Sequence, residues 1–123
     1  MRKVLVIDDD IITRRMLVKN VENLGYVVVQ SSNGRHGWET LWENPDIDLV
    51  ITDLMMPDMD GREFMKIVRG NQTFQSLPVL LVSGVSSEVD VADLLEFGHA
   101  KFLKKPLNTA ELREAVDLLV SVN

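Results

Sequence analysis

The sequence predicts a doubly wound α/β fold, with a five-stranded parallel sheet flanked by five helices in one domain over residues 1–123. Two observations support this fold class. Short apolar runs of strand length alternate with amphipathic stretches of helical spacing, and most of the short runs are apolar at every position. Such strands are buried on both faces, which requires helices on both sides of a parallel sheet. A chain of 123 residues has the usual length of a single domain.

The five predicted strands are rich in valine, leucine and isoleucine, which favour the extended conformation. Polar or turn-forming residues follow them, so each run stops at strand length. The strands are predicted over residues 4–7, 26–29, 49–52, 79–82 and 101–103. Asp53 and Ser83 therefore stand directly after the third and the fourth strand.

The predicted helices follow the strands in turn and place apolar residues at intervals of three and four. In the first helix Leu17 and Val21 belong to such a face, and Gly25 is a typical helix stop. Asn33 and Asn108 are suited to cap the second and the last helix. The helices are predicted over residues 11–24, 35–43, 63–68, 87–96 and 109–121.

Composition and charge exclude several classes of function. The chain has 13 basic and 19 acidic residues and a net charge of −6, so it offers no basic surface for a nucleic-acid backbone. It has no cysteine, which excludes disulfides, thiolate metal sites and a catalytic thiol. No apolar run reaches the roughly 18 residues of a membrane span, and the run at 4–7 is too short for a signal peptide. We expect a cytoplasmic protein that binds neither nucleic acid nor membrane.

Charged and hydroxyl side chains follow four of the five predicted strands. In open parallel α/β sheets, functional sites form at the carboxyl ends of the strands. We therefore expect these side chains to meet at one edge of the sheet. They are Asp8, Asp9 and Asp10 after the first strand, Asp53 after the third, Ser83 after the fourth and Lys105 after the fifth.

Carboxylates packed together repel one another and raise one another's pKa. A divalent cation removes that conflict, and Mg²⁺ prefers oxygen ligands while keeping several waters. With a lysine beside it, such a pocket suits a group with dispersed negative oxygens, of which phosphoryl is the obvious example. One carboxylate then acts as the nucleophile and becomes an aspartyl phosphate.

Four segments together resemble the receiver domain of two-component response regulators, in the same order and over essentially the whole chain. The resemblance implies a flavodoxin-like fold and a signalling phosphoacceptor that catalyses only its own phosphorylation and dephosphorylation. The segments are Val6-Ile7-Asp8-Asp9-Asp10, Thr52-Asp53-Leu54-Met55-Met56-Pro57-Asp58-Met59-Asp60-Gly61, Val82-Ser83-Gly84 and Phe102-Leu103-Lys104-Lys105-Pro106.

The resemblance also implies roles for individual acidic residues. Asp53 matches the phosphoacceptor and is one of the Mg²⁺ ligands. Asp8 and Asp9 match the acid pair, with Asp9 binding Mg²⁺ directly and Asp8 acting in catalysis and on the metal mainly through water. The main-chain carbonyl of Met55 completes the protein ligands, and Asp10 falls outside the pair.

Three further positions match residues that the family uses in catalysis and switching. Lys105, which directly precedes a proline, matches the catalytic lysine. Ser83 matches the hydroxyl residue that moves to the phosphoryl group, and Phe102 matches the aromatic residue that switches with it. The face formed by the helix predicted over 87–96 and the fifth strand is then expected to change on phosphorylation.

The implied partners are a histidine kinase or a histidine phosphotransfer protein as donor, and a downstream protein or a missing output domain as target. The chain itself is expected to be a monomer or a weak dimer formed on phosphorylation. Two alternatives remain open. Asp8-x-Asp10 also resembles the nucleophile motif of haloacid-dehalogenase-like Mg²⁺ phosphatases, although Ile12 departs from it. The other alternative is a receiver-like interaction module that never takes phosphate.

Overall fold

The computed structural model describes residues 2–56, 59–84 and 95–121. Its centre is one parallel sheet of five strands in the order β2-β1-β3-β4-β5. The predicted sheet is therefore confirmed. The strands are β1 (Lys3–Ile7), β2 (Val27–Ser31), β3 (Leu49–Asp53), β4 (Val79–Ser83) and β5 (Ala100–Lys104).

Four helices lie within the described ranges. They are α1 (Ile11–Asn23), α2 (Gly34–Glu43), α3 (Gly61–Arg69) and α4 (Thr109–Ser121). Residues 85–94 lie outside the described part of the chain. They include the helix predicted over 87–96, apart from its last two positions. No helix in the described ranges is both long enough and apolar enough to cross a membrane.

Side-chain oxygens cap the N-termini of the helices, because the first backbone N–H groups of a helix have no partner within it. The carboxylates of Asp10 and Asp60 accept from the N–H groups of Thr13 and Glu63 at the starts of α1 and α3. The predicted cap at Asn108 is confirmed, since its side-chain oxygen accepts from the second residue of α4, Ala110, at 2.8 Å.

Two apolar layers cover the two faces of the sheet. Alternate residues of a strand point to opposite faces. Val4 and Val6 of β1 accordingly pack with α1 and α4, whereas Leu5 and Ile7 pack with α2 and α3. The central strands β1, β3 and β4 are almost wholly buried, but the edge strands β2 and β5 are partly exposed, so burial on both faces holds for the central three.

The order of the strands reverses between β1 and β3, because β2 lies on one side of β1 and β4 lies beyond β3. Ile7, the last residue of β1, is in register with Thr52 of β3. The residues that follow, Asp8 and Asp53, thus emerge side by side at the carboxyl edge. This is the place where open α/β sheets bind ligands.

Candidate functional site

Asp8 continues the line of β1 beyond its last residue and is completely buried. Its backbone N–H donates to the carbonyl of Ser31 at 3.2 Å, which extends the ladder between β1 and β2. Its Oδ1 accepts from the N–H of Asp10 at 2.9 Å. Burial raises the pKa of Asp8 above its ordinary value, although the hydrogen bonds of Asp10 and Lys105 oppose this shift.

Asp53 is the last residue of β3, and 8% of its surface is exposed. Its Oδ1 accepts from the N–H of Met55 at 3.1 Å. The next residue, Leu54, donates its N–H to the carbonyl of Val82 at 3.0 Å, so the loop after Asp53 stays tied to β4. These contacts leave the Asp53 carboxylate largely buried, with a small part of its surface open to solvent.

Lys105 bridges the two carboxylates. Its Nζ lies 3.0 Å from Oδ2 of Asp8 and 2.9 Å from Oδ2 of Asp53. The Lys105 N–H donates to the carbonyl of Ser83 at 2.9 Å, which continues the pairing of β4 with β5 and sets where the side chain starts. Burial would lower the pKa of Lys105, but the hydrogen bonds and charges of Asp53 and Asp8 outweigh burial and raise it.

Asp9 completes a group of three carboxylates. One oxygen each of Asp8, Asp9 and Asp53 lie within 4.8 Å of one another, and Asp9 is the exposed member. Asp10 is not part of this group, and its carboxylate caps α1 by accepting from the N–H and hydroxyl of Thr13. Those two hydrogen bonds hold the pKa of Asp10 below its ordinary value.

Three other predicted residues lie on β4, on β5 or in the loop after β3. Ser83 ends β4 and is 1% exposed. Met55 lies two residues after Asp53, and its side chain is 59% exposed. Phe102, on β5, is partly buried against the apolar layer of α2 and α3. Ser83 and Phe102 are therefore linked to the site through strands β4 and β5.

Two glycines whose close contacts the sequence did not indicate also shape the site. A Cβ atom on Gly61 would overlap the carbonyl oxygen of Asp53, and one on Gly34 would overlap that of Met59, so both glycines allow close backbone approach. Gly61 precedes the helix predicted over 63–68, and nothing in the local pattern indicated its contact with β3. Arg14, on α1, also reaches the site, donating to the carbonyl of Asp8 at 2.8 Å.

Comparison with known proteins agrees with this geometry. A family model described as the response regulator receiver domain matches residues 4–117. The chain is 30% identical over 122 residues to chemotaxis protein CheY1 of Helicobacter pylori, and the aligned region covers 98% of each protein. The crystallised chemotaxis protein CheY4 of Vibrio cholerae has a TM-score of 0.87 at 29% identity, covering 97% of this chain and 98% of that one.

A receiver domain of a signal transduction histidine kinase from Syntrophus aciditrophicus is similar as well, with a TM-score of 0.88, 30% identity and coverage of 99% of this chain and 92% of that one. These matches are to signalling proteins and do not favour the alternative of a haloacid-dehalogenase-like phosphatase. The predicted flavodoxin-like fold is confirmed, and the expectation of a signalling protein is confirmed with it. With most of its length matched by that family model, the chain belongs to the response regulator receiver domains.

Proposed function

We propose that this chain accepts a phosphoryl group on Asp53 from the phosphohistidine of a histidine kinase or a histidine phosphotransfer protein in the cytoplasm. The observation that carries the proposal is the ion pair between Lys105 and Asp53, 2.9 Å long, at the edge of a three-carboxylate group. In such a pocket the Asp53 carboxylate can act as the nucleophile, and the Lys105 ammonium can neutralise the negative oxygens of the incoming group.

Exposure and charge favour Asp53 over the other two carboxylates as the nucleophile. Asp8 is completely buried, with both oxygens hydrogen-bonded, so a bulky donor has no access to it. Asp9 is exposed, and the contacts of Lys105 go to the other two. Asp53 alone among the three combines partial exposure with the Lys105 ammonium.

In the proposed reaction an Asp53 oxygen forms a bond to phosphorus while the bond from phosphorus to the donor's imidazole nitrogen breaks. The electron pair of the broken bond stays on that nitrogen, and the product is an aspartyl phosphate. Lys105 neutralises charge on the phosphoryl oxygens. Hydrolysis by water later returns the carboxylate and releases inorganic phosphate, so the domain acts only on its own phosphoryl group.

The donor set fits Mg²⁺. Three carboxylate oxygens lie within 4.8 Å of one another, and hard oxygen ligands are those that Mg²⁺ prefers. Asp9, Asp53 and the main-chain carbonyl of Met55 would hold the ion, with Asp8 reaching it through water. When bound, the ion supplies positive charge that relieves carboxylate repulsion and neutralises phosphoryl oxygens.

The proposed output uses the pairing of β4 with β5. Ser83 lies opposite Lys104, and Leu81 lies opposite Phe102. A phosphoryl group on Asp53 would draw the Ser83 hydroxyl towards it, and Phe102 would turn inward to fill the vacated space. The face of β5 and the helix predicted over 87–96 would then bind its downstream partner, or a second copy, differently.

The test is mass spectrometry of the intact protein after incubation with phosphoramidate and Mg²⁺. We expect one phosphoryl group on the wild type and on Asp10→Asn, and none on Asp53→Asn. Asp10→Asn is the matched control, because it removes a neighbouring carboxylate outside the group and keeps a capping side chain. Phosphorylation of Asp53→Asn, or an unlabelled wild type, would refute the proposal. Multiple turnover of a phosphate ester would favour the phosphatase.

A further inference from the structure

The guanidinium of Arg14 lies against the turn that carries the acidic pair. Its Nη1 donates to the main-chain carbonyl of Asp8 at 2.8 Å, and its Nε donates to Oε1 of Gln30 at 3.0 Å. Gln30 is on β2, next to Ser31, whose carbonyl accepts from the N–H of Asp8. Arg14 therefore closes a ring of contacts between α1, β2 and the end of β1.

Within this turn, the Asp8 carbonyl sits in a peptide plane that it shares with the N–H of Asp9. Because a peptide unit is planar, a donor that holds the carbonyl orients the whole plane and with it the start of the Asp9 side chain. The carboxylate of Asp8 is already held by the N–H of Asp10 and by Lys105. Arg14 thus supplies the hydrogen bond that ties the link between the two acidic residues to α1.

We propose that Arg14 is a positioning residue for the acidic pair, which sets the placement of the Asp9 carboxylate for Mg²⁺ through the Asp8–Asp9 peptide. Gln30 acts one step behind it, by fixing the guanidinium. This inference rests on the proposed function, since it concerns the same phosphoacceptor site. It distinguishes Arg14 from the adjacent Arg15, which is exposed on the same helix.

The sign of the effect separates positioning from simple electrostatics. Removing a positive charge near a cation site raises the affinity for the cation, because the repulsion between them is lost. Removing a positioning hydrogen bond lowers that affinity, and mutation of the hydrogen-bond partners of metal ligands typically reduces metal affinity about 10–100-fold. Arg14→Met and Arg15→Met make the same change in net charge, so Arg15→Met calibrates the charge effect.

The experiment measures Mg²⁺ binding to the full chain by calorimetry and the phosphorylation rate with phosphoramidate, a donor too small to need helix docking. For Arg14→Met we expect Mg²⁺ affinity to fall by roughly tenfold, with most of the rate recovered at saturating Mg²⁺. For Arg15→Met we expect affinity within about twofold of the wild type, or slightly tighter. Arg14→Lys, which keeps the charge without the paired donors, is expected to resemble Arg14→Met.

A double-mutant cycle with Gln30→Leu guards against a general folding defect. We expect Gln30→Leu to weaken Mg²⁺ binding a fewfold in the wild type and to add nothing in Arg14→Met, because Gln30 acts through Arg14. Equal affinities for Arg14→Met and Arg15→Met, or additive effects with Gln30→Leu, would overturn the inference and leave the proposed function intact. A wild type that takes no phosphoryl group on Asp53 would overturn the proposed function itself.

Discussion

Ile7 and Asp8 are consecutive, both are 0% exposed, and they belong to regions with opposite energetics. Ile7 lies in the apolar layer of α2 and α3, where burial of such a side chain stabilises the fold by about 1.5–3 kcal/mol. Asp8 lies at the carboxyl edge of the sheet, together with Asp9, Asp53 and Lys105. Burial of a carboxylate there costs free energy, which the ion pair with Lys105 offsets.

The same step from apolar to polar occurs at the ends of β3 and β4. Ile51 is followed by Thr52 and Asp53, and Val82 is followed by Ser83, with all five side chains buried. The comparison indicates that the apolar layers stabilise the fold, and that this stability compensates for the free energy that the buried polar groups at the carboxyl edge cost. Substitutions in the layers should change the free energy of unfolding, whereas substitutions at the edge should change binding and chemistry.

The largest effect on stability is expected in the apolar layers. Phe64 is a completely buried side chain of α3, so Phe64→Ala should lower the free energy of unfolding by about 3–5 kcal/mol. Phe97 is 44% exposed, and Phe97→Ala is the matched control, expected to change stability by less than about 0.5–1 kcal/mol. Urea unfolding followed by circular dichroism measures both. Similar losses for the two variants would contradict the contrast between layer and surface.

The next effect is expected where a layer meets the edge. Gly61→Ala would place a Cβ atom against the Asp53 carbonyl, so α3 or Asp53 must shift. We expect a loss of about 1–3 kcal/mol in stability and a slower phosphorylation of Asp53. Gly70→Ala is the control at the other end of α3, where the nearest atom to a new Cβ is the Lys66 carbonyl oxygen at 3.3 Å. A Gly61→Ala variant with wild-type stability and rate would contradict this close approach.

At the edge itself, the sign of a substitution should depend on Mg²⁺. Asp9→Asn relieves carboxylate repulsion, so without divalent ions it should raise the free energy of unfolding by about 1 kcal/mol or less. The wild type should gain about 2.7 kcal/mol when Mg²⁺ is present at 100 times its dissociation constant, and Asp9→Asn should lose most of that gain. Thermal unfolding with EDTA and with Mg²⁺ measures both, and Asp10→Asn should respond to Mg²⁺ as the wild type does. A Mg²⁺ response in Asp9→Asn equal to the wild type would exclude Asp9 as a ligand.

The smallest effect is expected at Asp10, outside the carboxylate group. Its pKa is held below the ordinary 3.8 by hydrogen bonds from Thr13, so the stabilisation is present above that pH and is lost as the pH falls through the folded-state pKa. Thr13→Val removes the hydroxyl donor, and its destabilisation should be full near neutral pH and disappear in acid. Unfolding free energies of both proteins across the acid range test this. A difference that stays constant with pH would show that the hydroxyl acts by other means.

Much of the edge was predictable because it depends on periodicity. The alternation of strands and helices predicts that Asp8, Asp9, Asp53 and Lys105 share one end of a parallel sheet, and the structure brings all four together. The sequence also separated Asp10 from the pair, through the family resemblance. The role of Asp10 as the cap of α1 agrees with that separation.

Other features were not predictable, because they depend on how far one element lies from another. Gly61 lies before the predicted third helix, and only the distance between the start of α3 and β3 shows why a side chain does not fit there. Helical spacing places Arg14, three and seven residues before the buried Leu17 and Val21, nearer the buried face of α1 than Arg15, but it does not show what Arg14 contacts. The packing of α1 beside β2 turns one guanidinium inward to Asp8 and Gln30 and leaves the other exposed.

The sequence by itself determined the order of the elements, the parallel sheet and the set of residues at its carboxyl edge, because burial of strands and the period of helices are local properties of the chain. The tertiary structure alone decided which oxygens Lys105 binds, which carboxylate is closed to solvent and which carbonyl Arg14 binds. Those outcomes depend on distances of a few ångströms between elements that are far apart in the chain, and no local pattern encodes them.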